Sequence, residues 1–295
     1  MSTSPLGYRS SSSTYHELTN PIRQADSYRS TSEGRFSAPF HYIDALDSAP
    51  TQCNVNYERD CAEEGCIVSA IANYSTRVAT PSVGLAEQQK ALKFLVHFVG
   101  DIHQPLHVEN LEVGGNLINV TFDGRRTNLH AAWDTAIPQK LIGNYSLANA
   151  QAWAGNLTNE IKKGVYKKES KSWTKGLKAK NPVESVMVWA SDANSFICTT
   201  VVPNGPEAVR HQEISGAYYE TAIPVVQRQV AKAGFILAAW LDAIVENAGK
   251  GINKGDDDKY GLSKRDWVFT DAQMEGKAKR AAFGDDCGCG EDHAH

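Results

Sequence analysis

Leu92, Leu95, Val96 and Val99 recur at helical spacing from about Glu87 onward, which predicts an amphipathic helix that Pro105 stops. A second stripe, Val226, Val230, Ala233, Leu237, Leu241 and Ile244, puts one apolar face on a helix across residues 225–247 and reads as core-facing. Helices are also expected across 64–77, 129–137 and 183–199. The period changes at Leu117-Ile118-Asn119-Val120-Thr121-Phe122, which alternates and then meets Asp123-Gly124, the pattern of a hairpin arm and its turn. The predicted architecture is mainly α, with one small β-hairpin. Before Ile22 neither period is visible, and residues 1–24 are expected to be unstructured. Residues 248–295, rich in Gly, Lys and Asp at their start, are expected to form a disordered polar tail, which leaves 25–247 as the folded domain. The lysine-rich run 162–171 reads as a solvated helix face.

Charge and cysteine usage narrow the picture. With 30 basic and 34 acidic residues the chain carries −4, so no global positive field recruits nucleic acid and any polyanion must be held locally. No run of 18 apolar residues predicts a membrane span, and the first 24 residues hold no secretory signal. Four cysteines nevertheless lie in the folded part, Cys53, Cys61, Cys66 and Cys198, an even number that suits disulfides and leaves three pairings open. Sequons at Asn73, Asn119, Asn144 and Asn156 add to the case for an oxidising, extracellular setting.

The histidines carry the chemistry. His97 and Asp101 stand four apart on the predicted helix and so project from one face, where both can grip one cation; His130 and Asp134 repeat the spacing on another helix. His107 falls between the pairs, whereas His103 is off the face that carries His97 and is expected to pack rather than bind metal. Nitrogen and oxygen donors without thiolates suit zinc in a catalytic setting, where an open position remains for water. Phosphoester hydrolysis is the reaction class that most needs clustered metals, since they neutralise phosphate oxygens and stabilise the leaving oxygen.

The segments Ala25-Asp26-Ser27-Tyr28-Arg29, Phe40-His41-Tyr42-Ile43-Asp44-Ala45, Val96-His97-Phe98-Val99-Gly100-Asp101-Ile102-His103-Gln104-Pro105-Leu106-His107, Gly114-Gly115-Asn116 and Asn128-Leu129-His130-Ala131-Ala132-Trp133-Asp134-Thr135 fall in one order. Together they resemble the signatures of the zinc-dependent single-strand-specific nucleases of fungi and plants, the nuclease S(1)/P(1) family, over residues 25–247. The resemblance implies a mainly α, multi-helix fold shared with zinc phospholipase C, with three zinc ions in a cleft. One zinc would be held by Asp26, His41, His97 and Asp101, and a second by His107, His130 and Asp134. Asp101 would also reach a third, whose remaining family ligands, an N-terminal tryptophan and a histidine soon after it, have no match before Asp26. The chain as written is therefore expected to have two complete zinc sites and an impaired chemical step, with a signal peptide and first helix missing upstream.

The same resemblance implies that Asp26 orients the attacking water and that Arg29 stabilises charge on the transition state. Tyr42 and Val113 would sandwich a nucleobase whose edge Asp44 reads. Disulfides Cys53–Cys198 and Cys61–Cys66 are implied too. The implied activity is secreted and monomeric: hydrolysis of single-stranded DNA and RNA to 5′-nucleotides, with release of 3′-phosphate from 3′-nucleotides. A phospholipase C, or a zinc- and nucleotide-binding derivative without turnover, are the competing readings.

Overall fold

The computed structural model describes residues 25–247, so the expectations for 1–24 and 248–295 lie outside the described residues. Its elements, in order, are α1 (Ile67–Ala79), α2 (Leu85–Asp101), the hairpin β1 (Asn119–Phe122) and β2 (Arg125–Asn128), α3 (129–142), α4 (Leu147–Lys162), α5 (Pro182–Phe196) and α6 (Ala217–Asn247). Short 3-10 and single-turn helical pieces connect them, and the fold is mainly α, as the periodicity predicts.

Helix α1 is the central element. Its start is fixed by Ser69, whose hydroxyl oxygen accepts the Cys66 N–H at 2.9 Å, while Cys66 is itself tied to Cys61. That disulfide is why the helix begins at Ile67 rather than three residues earlier as expected: residues 61–66 are committed to the closed loop. Ile67, Val68, Ala70, Ile71 and Ala72 are fully buried, so apolar neighbours cover α1 on more than one face. Leu95, Phe98 and Val99 of α2 pack there, and Tyr74 of α1 stacks on Phe94 of α2 with centroids 4.9 Å apart. Trp189 of α5 and Trp240 of α6 meet edge to face at 5.2 Å beneath them.

The Trp240 indole N–H donates to the Ser75 hydroxyl at 2.9 Å, and that hydroxyl donates to the Ile71 carbonyl at 2.6 Å. Replacing Ser75 with Ala strands a buried indole donor. Ser75→Ala is therefore expected to cost about 1–3 kcal/mol in a denaturant unfolding measurement with disulfides intact. A cost near zero would mean that the indole finds another partner.

A second apolar cluster sits around the hairpin, where Ile118, Val120, Phe122, Leu129, Trp133 and Ile137 meet Ile197, Val201, Tyr219, Ala222 and Val226. The strands pair antiparallel, Phe122 opposite Arg125, across the turn Asp123-Gly124, both at positive φ (48° and 75°). Cys53–Cys198 fastens the loop before α1 to the turn after α5 across 145 residues of sequence, and Cys61–Cys66 closes its short loop. These are the two pairings the resemblance implies.

The helices differ from expectation at α4, at the lysine run and at α6 as well. Helix α4 was not predicted, because only Leu157 of its sixteen residues is fully buried and the apolar stripe is faint; the legible signal was Ser146, whose side chain caps the Asn149 N–H at 3.1 Å. The lysines of the run 162–171 are exposed, but the run lies mostly in the turns after α4, not on a helix face, and its Tyr166 and Ser170 are buried. Helix α6 starts at Ala217, eight residues before the expected start, and runs through Pro224, because burial of Tyr219 and Ala222 in the second cluster offsets the hydrogen bond that proline removes. No helix among the described residues is long and apolar enough to cross a membrane.

Candidate metal centre

His41 ends the 3-10 helix Arg35–His41, while His97 and Asp101 occupy the last turns of α2. His41 Nδ1 lies 3.0 Å from Asp101 Oδ2, 3.1 Å from His97 Nε2 and 3.6 Å from Asp26 Oδ1. His97 Nε2 in turn lies 3.0 Å from Asp101 Oδ2 and 3.5 Å from Asp26 Oδ1. A tetrahedral zinc with bonds of 2.0–2.1 Å has ligand atoms about 3.3–3.4 Å apart, so these separations bracket the edge of such a site.

Burial disfavours charge on His41 and lowers its pKa to about 4, since its neighbours do not offset the loss of water. Burial would also neutralise Asp101, but His97 and His41 overcome it and hold the carboxyl well below the usual carboxylate range. His97 resists burial in the other direction: Asp101 and Asp26 push it up to about 11. Two imidazoles and two carboxylates thus meet at one point, a nitrogen and oxygen donor set that a divalent cation fits once it displaces the His97 proton.

The second set is oriented by backbone carbonyls. His107 Nδ1–H donates to the His41 carbonyl at 2.8 Å and His130 Nδ1–H to the Gly114 carbonyl at 2.7 Å, so each Nε2 lone pair is left for other use. These Nε2 atoms lie 3.4 Å from Asp134 Oδ1 and 3.2 Å from Asp134 Oδ2. His130 Nε2 and Asp134 Oδ2 are buried and hydrogen-bond to nothing, although they are close: both are acceptors, and a cation is what such a pair lacks. The residues present fit metal ions at both sets, and the His107–His41 contact sets them side by side.

Asp134 stands in a π-helical turn, Ala132–Ala136, inside α3, which helical periodicity could not foresee. The turn is braced by Trp133, whose indole N–H donates to the Tyr218 hydroxyl at 2.8 Å; that hydroxyl donates to the Val201 carbonyl at 2.9 Å. Gln104 was missed by sequence reasoning although it stands inside the His-Gln-Pro-Leu-His run. Its amide donates to Asp134 Oδ1 at 2.7 Å and its carbonyl oxygen accepts the Leu106 N–H. Gly114 is the other missed participant, through its carbonyl on His130.

His103 is turned away, with Nδ1 bonded to the Val99 carbonyl at 2.7 Å and the ring stacked on Trp189. Asp47 and Glu109 also approach each other beside Cys53, but that sulfur is spent in a disulfide and the Asn194 amide bridges the two carboxylates. Burial raises Glu109 to about 7 there, and the cluster is a joint between α5 and the loops it packs against.

Arg29 lies beside the first set, its Nε 4.0 Å from Asp26 Oδ1 and its side chain 13% exposed. Tyr42 and Asp44 flank Ile43, whose N–H donates to the His107 carbonyl at 2.9 Å, and Val113 is the neighbour of Gly114. Both arms of the expected base pocket are thus anchored on the second ligand set. Of the sequon residues, Asn119, Asn144 and Asn156 are exposed and Asn73 is half-buried on α1.

A mainly helical fold whose loops and helix ends gather two adjoining His/Asp donor sets, the second with imidazoles fixed by carbonyls, has the residue groups that a hydrolytic metal centre would use. The family model of the S1/P1 Nuclease matches residues 11–246. The chain belongs to the S1/P1 nuclease family. It is 49% identical to Nuclease S1 of Aspergillus oryzae over 227 residues, covering 77% of this chain and 79% of that protein. It is 48% identical to Nuclease P1 of Penicillium citrinum over 235 residues, covering 80% and 86%. Similarity extends to Endonuclease 4 of Arabidopsis thaliana, 32% identical over 231 residues and 73% of each chain.

Proposed function

We propose that this protein is a secreted, zinc-dependent nuclease that hydrolyses single-stranded DNA and RNA to 5′-nucleotides and removes phosphate from 3′-nucleotides. Family membership makes it a hydrolytic nuclease acting on phosphoester bonds. The observation that carries the zinc reading is the convergence of Asp26, His41 and His97, with donor atoms 3.1–3.6 Å apart and Asp101 3.0 Å from both imidazoles, beside a second set of His107, His130 and Asp134. Zinc bound there would polarise a phosphoryl oxygen and make water acidic enough to attack at neutral pH.

The chain's own residues do the rest. Asp26, 26% exposed, accepts a hydrogen bond from the attacking water and aligns it. Arg29 faces the charge that grows on the phosphate oxygens. Tyr42 and Val113 grip the faces of an unpaired base while Asp44 accepts from its edge, and a base inside a duplex offers no such face. Two disulfides and three exposed sequons support secretion, and the protein acts as a monomer.

The competing reading is a zinc and nucleotide binder without turnover. Metal analysis combined with cleavage of matched single-stranded and duplex DNA separates the readings. Bound zinc at both sets, chelator-sensitive cutting and a marked preference for single strands are expected. Zinc without turnover would favour the binder, and folded protein without zinc would sink both.

A further inference from the structure

Residues 112–115 form a turn in which every φ is positive: Glu112 at 52°, Val113 at 59°, Gly114 at 60° and Gly115 at 80°. The glycines accept this conformation freely, and Gly114 needs to be glycine, since a Cβ would stand 2.9 Å from the Leu106 carbonyl oxygen. Glu112 and Val113 do not accept it freely. A β-branched residue in the left-handed region is a true outlier and persists only where the surroundings over-determine it.

The surroundings here converge on one side chain. Arg210 donates from Nη1 to the Leu117 carbonyl at 2.7 Å and pairs through Nη2 with Glu112 Oε1 at 3.0 Å, so its guanidinium spans the turn from one flank to the other. Its Nε donates to Glu207 at 2.8 Å, which fixes the plane of the fork. The post that carries Arg210 is itself rigid. His211 N–H donates to the Asn119 carbonyl at 2.6 Å, Thr121 N–H to Gln212 and Ile214 N–H to Thr121, both at 2.8 Å, and Glu213 accepts the N–H groups of Asp123 and Gly124. The segment is thus zipped along β1, with an isolated bridge between Thr121 and Glu213. From the other side the turn is held by its own contacts, Gly115 N–H to Leu111 and Leu117 N–H to Glu112, and by the Gly114 carbonyl on His130.

We propose that Arg210 is a positioning residue for nucleobase recognition: by clamping Glu112 and the Leu117 carbonyl it holds the left-handed turn 112–115 in the shape that presents Val113 to a base. The inference rests on the base-pocket reading above. Phosphate recognition lies with the metal centre and Arg29, so loss of the clamp acts on the base and not on the sugar phosphate.

Equilibrium binding tests this by calorimetry on zinc-loaded protein, comparing a deoxyribonucleoside 5′-monophosphate with deoxyribose 5-phosphate, which has no base. Arg210→Ala is expected to weaken nucleotide binding about tenfold while leaving the base-free ligand and the zinc content unchanged. Arg210→Lys keeps one of the two bonds and falls between. Glu112→Gln, which spares Arg210 and its other bonds, is expected to weaken nucleotide binding in the same direction by a smaller factor, and it serves if the alanine variant does not fold. Equal weakening for both ligands would make Arg210 a source of long-range charge and overturn the proposal, as would no change for either. If the wild-type protein itself binds the two ligands alike, the base pocket is wrong, and Arg210 falls with it.

Discussion

Asp101→Asn is expected to remove zinc from the first ligand set and to lower turnover on single-stranded DNA by about 10³-fold, equivalent to about 4 kcal/mol of transition-state stabilisation. The carboxylate oxygen that touches both His41 and His97 at 3.0 Å is the one that closes the site, and the neutral amide keeps the shape while removing the charge. Burial makes the loss severe: with water largely excluded, few groups other than Asp26 are left to balance a divalent ion beside two imidazoles. Metal analysis of the folded variant should show the second set still loaded, because its tautomers are fixed by the backbone carbonyls of His41 and Gly114, which the substitution leaves in place. A variant that keeps full zinc and full activity would remove Asp101 from the centre.

Arg29→Ala is expected to reduce kcat about 10²–10³-fold with zinc content unchanged, the range for losing one preorganised donor at a developing negative charge. The guanidinium stands 4.0 Å from Asp26, near enough to serve the same phosphate as the metal set yet outside the close cluster of donor atoms. The charge it opposes grows only in the transition state, so KM should move little. Arg29→Lys should recover part of kcat, since a point charge replaces a two-pronged donor. If zinc is instead lost in step with activity, Arg29 acts by holding Asp26 and not on the substrate.

Much of this was legible before any fold was known. The stripe of Leu92, Leu95 and Val99 fixed α2 to within a few residues of its true ends, and with it the common face of His97 and Asp101. The alternation around Val120 with Asp123-Gly124 marked the hairpin. Periodicity failed where burial is weak, as on α4, and where packing overrides a local signal, as at Pro224 in α6. It also could not see Gln104 on Asp134, since that bond spans 30 residues.

The sequence by itself determined that His97 with Asp101 and His130 with Asp134 could each grip a metal from one helix face, because i, i+4 spacing is a property of a single helix and needs no partner. Membership of the family was likewise written in the order of its motifs. Only the tertiary structure decided that Asp26, His41 and the α2 pair meet, that carbonyls of His41 and Gly114 set the tautomers of His107 and His130, and that Arg210 reaches back to the turn bearing Val113. Such contacts join residues far apart in the chain. They exist because two apolar clusters, pinned by Cys53–Cys198, leave the ends of these elements facing one another.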